Sequence, residues 1–443
     1  MKIKLLSLVS TAILLGTSLA SPVYATYGTK ESEPNNGFEE AMIVENNIDH
    51  DYSGLVSRED QDFYKITVIK RGLLTVYSEL LADDSYVTSS VYNESGELLS
   101  VGEVATSRDF SNELVVDPGT YYITFNADPS LSGEQEYSFR AESFDSRLDR
   151  ISGVDRYETA INIAYWGFDL PRNIILATGQ DFPDALAAGP LSVQLRAPIL
   201  LTRNNQIPES VKELISYSKV KNVTIIGGTD VITQDIENYL KNVMGLNVER
   251  IAGSNRFETA TKIADRLVNV YGQKVAYVVN GRNYPDALSI TPVAAKEGAP
   301  ILLTESDSIP QSTLNKVSNY DEFFVIGGTN AVSENIVNKL GTVTRISGNN
   351  RYETSAKVAE YYNHLFGQSY SGNITTGTNF ADALAGAPFA ALHGGPLLLT
   401  PSNYLHEDAK NYFEKYDTIW FSIFGGNNAV SEDVENEIRS LIE

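Results

Sequence analysis

Arg156, Arg256 and Arg351 each follow a glycine by three residues and an Asp or Asn by one, in a segment with the marks of a helix start. A helix N-terminus favours anions through its free N–H groups and dipole, and arginine adds a planar donor fork suited to phosphate or carboxylate. Asp184, Asp286 and Asp382 recur just as often, each inside the pattern [FY]-[PA]-D-A-L. These aspartates are read first as helix caps, and otherwise as acceptors for sugar hydroxyls or as partners of the arginines. Equal numbers of recurring Arg and Asp favour a structural ion pair over direct ligand contact. Gly227, Gly327 and Gly425 each open a Gly-Gly pair at the end of an apolar run. The third glycine of a dinucleotide fingerprint is missing, so these pairs are expected to let chain or ligand approach a sheet end closely. The three series form the candidate binding set.

All three sit in a larger pattern. R-I-[SA]-G-x-[DN]-R-[YF]-E-T-[AS] starts at Arg150, Arg250 and Arg345, and the other two signatures keep step with it. One module is therefore built three times, and a period near 100 residues predicts a small domain with its own core in each copy. Asp155, Asn255 and Asn350 are helix caps, with Glu158, Glu258 and Glu353 closing a capping box. Runs such as Ile174–Ala177, Pro198–Thr202 and Val223–Ile226 are apolar without alternation and are separated by helical segments. That order predicts parallel sheets covered on both faces, with ligand sites at the carboxyl ends of the strands. All three recurring signatures fall in those loops. Arg150, Arg250 and Arg345 are read as structural.

The surroundings narrow the class. Lys2, Lys4 and the apolar stretch Leu5 to Leu19, followed by Val23-Tyr24-Ala25, predict a secretory signal peptide over 1–25. No other run is long enough for a membrane span. The net charge of −23 disfavours nucleic acid, which needs a basic face. The absence of cysteine excludes disulfides and thiolate metal sites. The four histidines, His50, His364, His393 and His406, do not recur from copy to copy, and no H-E-x-x-H or G-x-S-x-G motif is present. Catalysis by paired carboxylates would require one specialised copy, whereas the shared motifs describe three similar ones.

Residues 31–145 change character. Asp62–Val68, Leu73–Tyr77 and Thr120–Phe125 read as short strands between turn signals such as Arg71-Gly72 and Asp117-Pro118-Gly119, which predicts an all-β sandwich. Glu31-Ser32-Glu33-Pro34-Asn35-Asn36, Asp60-Gln61-Asp62-Phe63-Tyr64 and Pro118-Gly119-Thr120-Tyr121-Tyr122 together resemble the bacterial pre-peptidase C-terminal domain. That resemblance implies a β-sandwich which in some members binds collagen or polysaccharide, and in some holds calcium through the leading segment and the Asp pair. Glu31, Glu33, Asn35, Asn36, Asp60 and Asp62 offer the hard oxygen ligands calcium takes, although no EF-hand loop is present. The other reading is a turn with solvated carboxylates.

Over 148–443 the triplicated signatures resemble the cell wall-binding repeat type 2 family of Gram-positive bacteria. The resemblance implies an α/β fold class: three tandem open parallel-sheet modules, at 148–247, 248–342 and 343–443, which pack as a pseudo-threefold trimer. It also implies non-covalent attachment of a secreted surface protein to anionic cell wall polysaccharide. Ala381 replaces the proline of the other copies, and Ser355 replaces an alanine. Two other readings fit the same chain: a wall hydrolase with its carboxylates in one copy, and an adhesin whose β-sandwich binds host matrix or polysaccharide.

Overall fold

Apolar runs without alternation become strands buried on both faces, and the second and larger part of the chain is built from them. The computed structural model describes residues 28–443, apart from 48, 81–86, 103–108, 129, 131–132, 269–271 and 273, so the expected signal peptide lies outside the described residues. Two compact units are present. The first holds the described residues up to Ile69, with Leu74–Leu114 and Pro118–Ser143; the second holds Phe144–Glu443 with Lys70–Leu73 and Val115–Asp117. No described helix is long and apolar enough to cross a membrane.

Among the described residues, ten strands run through the first part of the chain: β1 (Thr29–Lys30), β2 (Met42–Ile43), β3 (Tyr52–Val56), β4 (Asp62–Val68), β5 (Gly72–Leu80), β6 (Val87–Asn93), β7 (Leu98–Val101), β8 (Asp109–Val116), β9 (Gly119–Ala127) and β10 (Gln135–Asp145). They form two five-stranded sheets, ordered β1-β3-β10-β5-β8 and β2-β4-β9-β6-β7. Alternating residues of the two sheets meet as aromatic pairs. Phe125 of β9 stacks on Tyr137 of β10 with ring centroids 4.2 Å apart, and Tyr64 of β4 meets Phe139 of β10 at 4.6 Å.

In the second unit each copy contributes four parallel strands. Before and within copy 1 these are β11 (Arg147–Ile151), β12 (Asn173–Thr178), β13 (Ile199–Thr202) and β14 (Asn222–Ile226), with α1 (Arg156–Gly167), α2 (Gly189–Gln194), α3 (Glu209–Tyr217) and α4 (Gln234–Asn238). Copy 2 supplies β15 (Asn247–Ile251), β16 (Val275–Asn280), β17 (Ile301–Thr304) and β18 (Glu322–Ile326), with α5 (Arg256–Ala264), α6 (Pro285–Glu297), α7 (Gln311–Val317) and α8 (Glu334–Val337). Copy 3 supplies β19 (Thr342–Ile346), β20 (Ser371–Thr376), β21 (Leu397–Thr400) and β22 (Trp420–Phe424), with α9 (Arg351–Phe366), α10 (Ala381–His393), α11 (Glu407–Lys415) and α12 (Glu432–Ile442).

The sheets do not follow these boundaries. Their strand orders are β13-β12-β14-β15, β17-β16-β18-β19 and β21-β20-β22-β11. Each copy lends its first strand to the preceding sheet, and β11, from the start of copy 1, pairs with β22 at the end of copy 3, Ile151 opposite Phe424. Strand donation is thus cyclic.

Burial divides by face. In β12, Ile174 and Leu176 enter a cluster confined to copy 1, whereas Ile175 and Ala177 enter a central cluster drawing on all three copies. The other copies have their own outer clusters. A self-contained core in each copy is therefore only half correct, because the inner faces share one. The helices α2, α6 and α10 pack on one another there. α10 is rich in alanine and α6 carries Ala287, Ala294 and Ala295, while a Cβ at Gly189 of α2 would collide with Thr291, or one at Gly386 of α10 with Phe424. Small residues permit this approach. Phe182, Tyr284 and Phe380, just ahead of the central helices, touch pairwise with centroids 5.3, 5.6 and 6.3 Å apart. The more polar strand β20 remains compatible with burial because its polar groups are satisfied: Thr375 Oγ1 donates to the Phe424 carbonyl and Asn373 Nδ2 to that of Pro396.

A shared core makes the three copies one cooperative unit. Phe389 of α10 is 6% exposed and packs against Phe424 and Gly167 of different copies. Phe389→Ala is expected to cost about 3–5 kcal/mol. Calorimetry should show all three copies of the variant melting together at a lower temperature, rather than copy 3 melting alone.

Candidate functional site

The repeated motif resolves into separate duties. Asp155 Oδ1 accepts from the Tyr157 and Glu158 amides at 2.9 and 3.0 Å, and Asn255 and Asn350 do the same in their copies. Glu158, Glu258 and Glu353 reach back to the amides of Val154, Ser254 and Asn349, as a capping box does. Thr159, Thr259 and Thr354 accept from the glycine amides of Gly153, Gly253 and Gly348, each at 3.0 Å. Those glycines have no room for a Cβ against the capping glutamate. Arg150, Arg250 and Arg345 cross to the preceding sheet, where Nη1 donates to the carbonyls of Gly425, Gly227 and Gly327 at 2.9, 2.8 and 2.8 Å. Each also pairs with a carboxylate, Glu435, Glu237 or Glu334. These arginines are structural, as expected.

Arg156, Arg256 and Arg351 behave differently. Each is half-buried and gives one N–H to the carbonyl of Gly179, Gly281 or Gly377 at the end of its own copy's strand. The rest of the guanidinium makes no ion pair within 4.0 Å among the described residues. Arg156 lies 5.6 Å from the ring centre of Phe380 in copy 3, and Arg351 lies 6.0 Å from that of Tyr284 in copy 2. Both therefore face the neighbouring copy.

The aspartates are not helix caps, which corrects the default reading. Phe380 and Tyr284 occupy the cap positions of α10 and α6, and Asp382 and Asp286 stand inside the first turn; Asp184 makes no capping bond either. The carboxylates point instead at the glycine pairs. Gly227, Gly327 and Gly425 have φ of +112°, +104° and +114°, and a Cβ on Gly425 would lie 2.6 Å from Asp382 Oδ2. Glycine is required there on both counts. Electrostatically, Asp382 feels Arg156, Asp286 feels Arg351, and Arg256 feels Asp184. The two series thus meet across copies, copy 3 to 1, copy 2 to 3 and copy 1 to 2, without forming contact pairs. Burial pushes Asp286 and Asp382 up to about 6, against the pull of their arginines. Burial also lowers Arg256, and neighbouring Arg282 adds to this.

Between copies 1 and 2 these residues line a cleft of about 690 Å³. Asp181, Asp184 and Asp230 of copy 1 face Arg256, Arg282 and Glu305 of copy 2, with the Phe257 ring in the wall. Such a cleft offers a helix N-terminus, a partly free guanidinium and carboxylate acceptors within one groove. That combination suits a polyhydroxylated chain, whose hydroxyls both donate and accept. Asp181, Asp230, Arg282 and Glu305 escape sequence reasoning based on recurrence, because they do not recur.

In the first unit, Glu31, Glu33 and Asp62 bring carboxylate oxygens within 4.8 Å of one another. Asp62 is fully buried and accepts from Tyr137, whose hydroxyl is 2.9 Å from that of Tyr64, while Glu31 accepts from the Leu55 amide at 2.7 Å. Asn35 is fully buried with both side-chain polar atoms unpartnered, and one oxygen of Asp62 is orphaned too. Burial, then the bond with Glu31, pushes Asp62 up to about 9. Asp60 is outside the converging trio, and the Asn36 amide turns to Asp60 and the Gln61 carbonyl.

Three segments, 150–237, 250–337 and 345–435, match the family described as cell wall binding domain 2. The chain is 33% identical over 300 residues to N-acetylmuramoyl-L-alanine amidase LytC of Bacillus subtilis, covering 67% of this chain and 59% of that protein. It is 34% identical over 320 residues to the amidase enhancer of the same organism, covering 72% and 43%. It thus spans about half the length of these relatives. Among solved structures, Cwp6 from Clostridium difficile superposes with a TM-score of 0.64 at 22% identity, over 87% of this chain and 68% of that one. Cwp8 gives 0.60 at 23%, over 84% and 63%.

A carboxyl held above its ordinary value destabilises the fold once ionised. The contribution of Asp286 and Asp382 is therefore most favourable near pH 4 and is lost as pH rises through about 6. Asp286→Asn with Asp382→Asn should raise the melting temperature at pH 7.5, by roughly 2–4 °C for each ~1 kcal/mol relieved, with the gain vanishing at pH 4. Thermal scans across that range check it.

Proposed function

The chain belongs to the cell wall binding domain 2 family, and from that premise we propose an exported surface protein held non-covalently on anionic wall polysaccharide by the clefts between its copies. The copies are read as a pseudo-threefold trimer presenting related clefts, and the first unit as a β-sandwich carried by it. The observation that carries this reading is the partly free guanidinium of Arg156, Arg256 and Arg351, repeated at each junction beside a capped helix. Repetition supports binding rather than catalysis, because a chemical step needs one specialised site, whereas a polymer is held better by several. The relatives named for an amidase and its enhancer make co-operation with wall hydrolysis the second reading.

The acidic chain as a whole repels a polyanion, so retention rests on these local cations. Walls isolated from Bacillus subtilis should sediment the intact protein. Walls stripped of their anionic polymer should not. Replacing Arg156, Arg256 and Arg351 together by Ala should lower retention at least about a hundredfold, with binding at several points lost at once. An unchanged melting temperature in that variant supports ligand contact, whereas a collapse in stability assigns the arginines to holding the copies together.

For the first unit we propose calcium, held by Glu31, Glu33 and Asp62 with the Asn35 side chain. The unpartnered buried groups of Asn35 and Asp62 support it, since orphaned polar atoms are costly unless something satisfies them. Calcium would supply a hard cation to this oxygen set and offset its mutual repulsion. Saturating calcium, near 100 times the dissociation constant, should stabilise the first unit of the intact protein by about 2.7 kcal/mol. A melting curve unmoved at millimolar calcium removes the site.

A further inference from the structure

Repetition makes the three junctions comparable position by position, and their charges differ. In the junction of copies 1 and 2, four carboxylates (Asp181, Asp184, Asp230 and Glu305) face two guanidiniums (Arg256 and Arg282). Arg282 is itself committed: its Nε donates to Glu305 at 2.8 Å and its Nη2 to the other carboxylate oxygen. This cleft is acidic.

The equivalent positions elsewhere lose most of those charges. Asn283 and Asn379 stand for Asp181, and Asn330 and Asn428 stand for Asp230. In copy 3, Thr378 and Pro401 replace Arg282 and Glu305, leaving Arg351 as the cation of the junction with copy 2. His406 lies against Tyr352 there, with ring centroids 4.6 Å apart, and its Nδ1 is held 3.1 Å from Asp408. In copy 1, Gln180 stands for Arg282 and Arg203 stands for Glu305. Arg203 is exposed and lies 5.0 Å above the Tyr157 ring, with no carboxylate partner among the described residues. Tyr157 directly follows Arg156. The junction of copies 3 and 1 therefore has two guanidiniums without a carboxylate within 4.0 Å among the described residues, Arg156 giving one N–H to the Gly179 carbonyl. Against them stand Asp382, which is 9% exposed and accepts no hydrogen bond among the described residues, and Asp155, whose carboxylate is taken up by two helix amides.

We propose that the three clefts are unequal. The junction of copies 3 and 1 is the principal anion subsite, gripping phosphate or carboxylate groups between Arg156 and Arg203. The junction of copies 2 and 3 is weaker, and that of copies 1 and 2 holds neutral sugar. This inference rests on the wall-binding reading and assigns the parts within it. Arg203 is the specificity-determining residue: its planar fork rests on an aromatic face, which orients it with little loss of hydration. A polymer with charges spaced along its length would be bound in one register, with its anionic group at one cleft.

The test measures affinity of the intact protein for walls isolated from Bacillus subtilis at several salt concentrations. Arg203→Ala should weaken binding about tenfold, the effect of losing one charge-assisted contact, and flatten the salt dependence without moving the melting temperature. Arg203→Lys should restore the salt dependence more than the affinity. Neutralising the acidic junction with Asp181→Asn, Asp230→Asn and Glu305→Gln together should strengthen binding severalfold, by freeing Arg282 and Arg256. Wild-type affinity in Arg203→Ala, or no gain in the neutralised variant, overturns the ranking while leaving wall binding intact. No binding by the wild-type protein removes the wall-binding reading itself.

Discussion

The close approach of α2, α6 and α10 is the contact on which the second unit depends. Gly189 of α2 and the alanines of α6 and α10 let backbones come together where larger side chains would hold them apart. The [FY]-[PA]-D-A-L signature opens α6 and α10 and lies just ahead of α2. Once they meet, Phe182, Tyr284 and Phe380 must touch, and the aspartates two residues beyond are carried to the seams between copies. The inner face of every sheet then contributes to one core, and the outer faces retain three separate ones. Packing at the centre thus decides where charge is found at the periphery.

That charge is held under tension. Asp286 and Asp382 lie beside arginines of the next copy without contacting them, and burial opposes their ionisation. A tight ion pair would have satisfied both partners and left little for a ligand. Separation leaves donor capacity on each guanidinium and an acceptor nearby, at a cost in stability that the shared core can bear. The glycine pairs belong to the same arrangement: their positive φ lets the strand end turn under the carboxylate, where any side chain would collide with it.

The sequence foretold the sheets well, because non-alternating apolar runs such as Ile174–Ala177 leave no alternative to burial on both faces. It also foretold the helix caps at Asp155, Asn255 and Asn350, whose bonds are local. Exchange of the first strand between copies was not legible. β15 carries the same residues whether it pairs with its own sheet or the preceding one, and only the third dimension distinguishes the two. The aspartates were misread as caps for a related reason, since a residue in the first turn and a residue at the cap look alike when the cap residue itself has helical backbone angles, as Tyr284 and Phe380 do. The residues that distinguish one cleft from another, Arg203 and Glu305 above all, were invisible to a search for what repeats. Recurrence reveals the frame, and departures from it carry the individuality of each site.

Cyclic donation of strands has a consequence for how such a chain can vary. Each sheet lacks one edge until the next copy supplies it, and the last is completed by β11 from the beginning. A copy cannot be gained or lost without rebuilding the central core around which the ring closes, so the repeat number is locked by closure rather than by length. Because no seam is privileged by topology, the order of copies along the chain is only one of three ways of cutting the same closed circuit. A gene that opened the circuit at β15 or β19 instead, and joined Glu443 through a linker to Arg147, would encode the same arrangement of sheets.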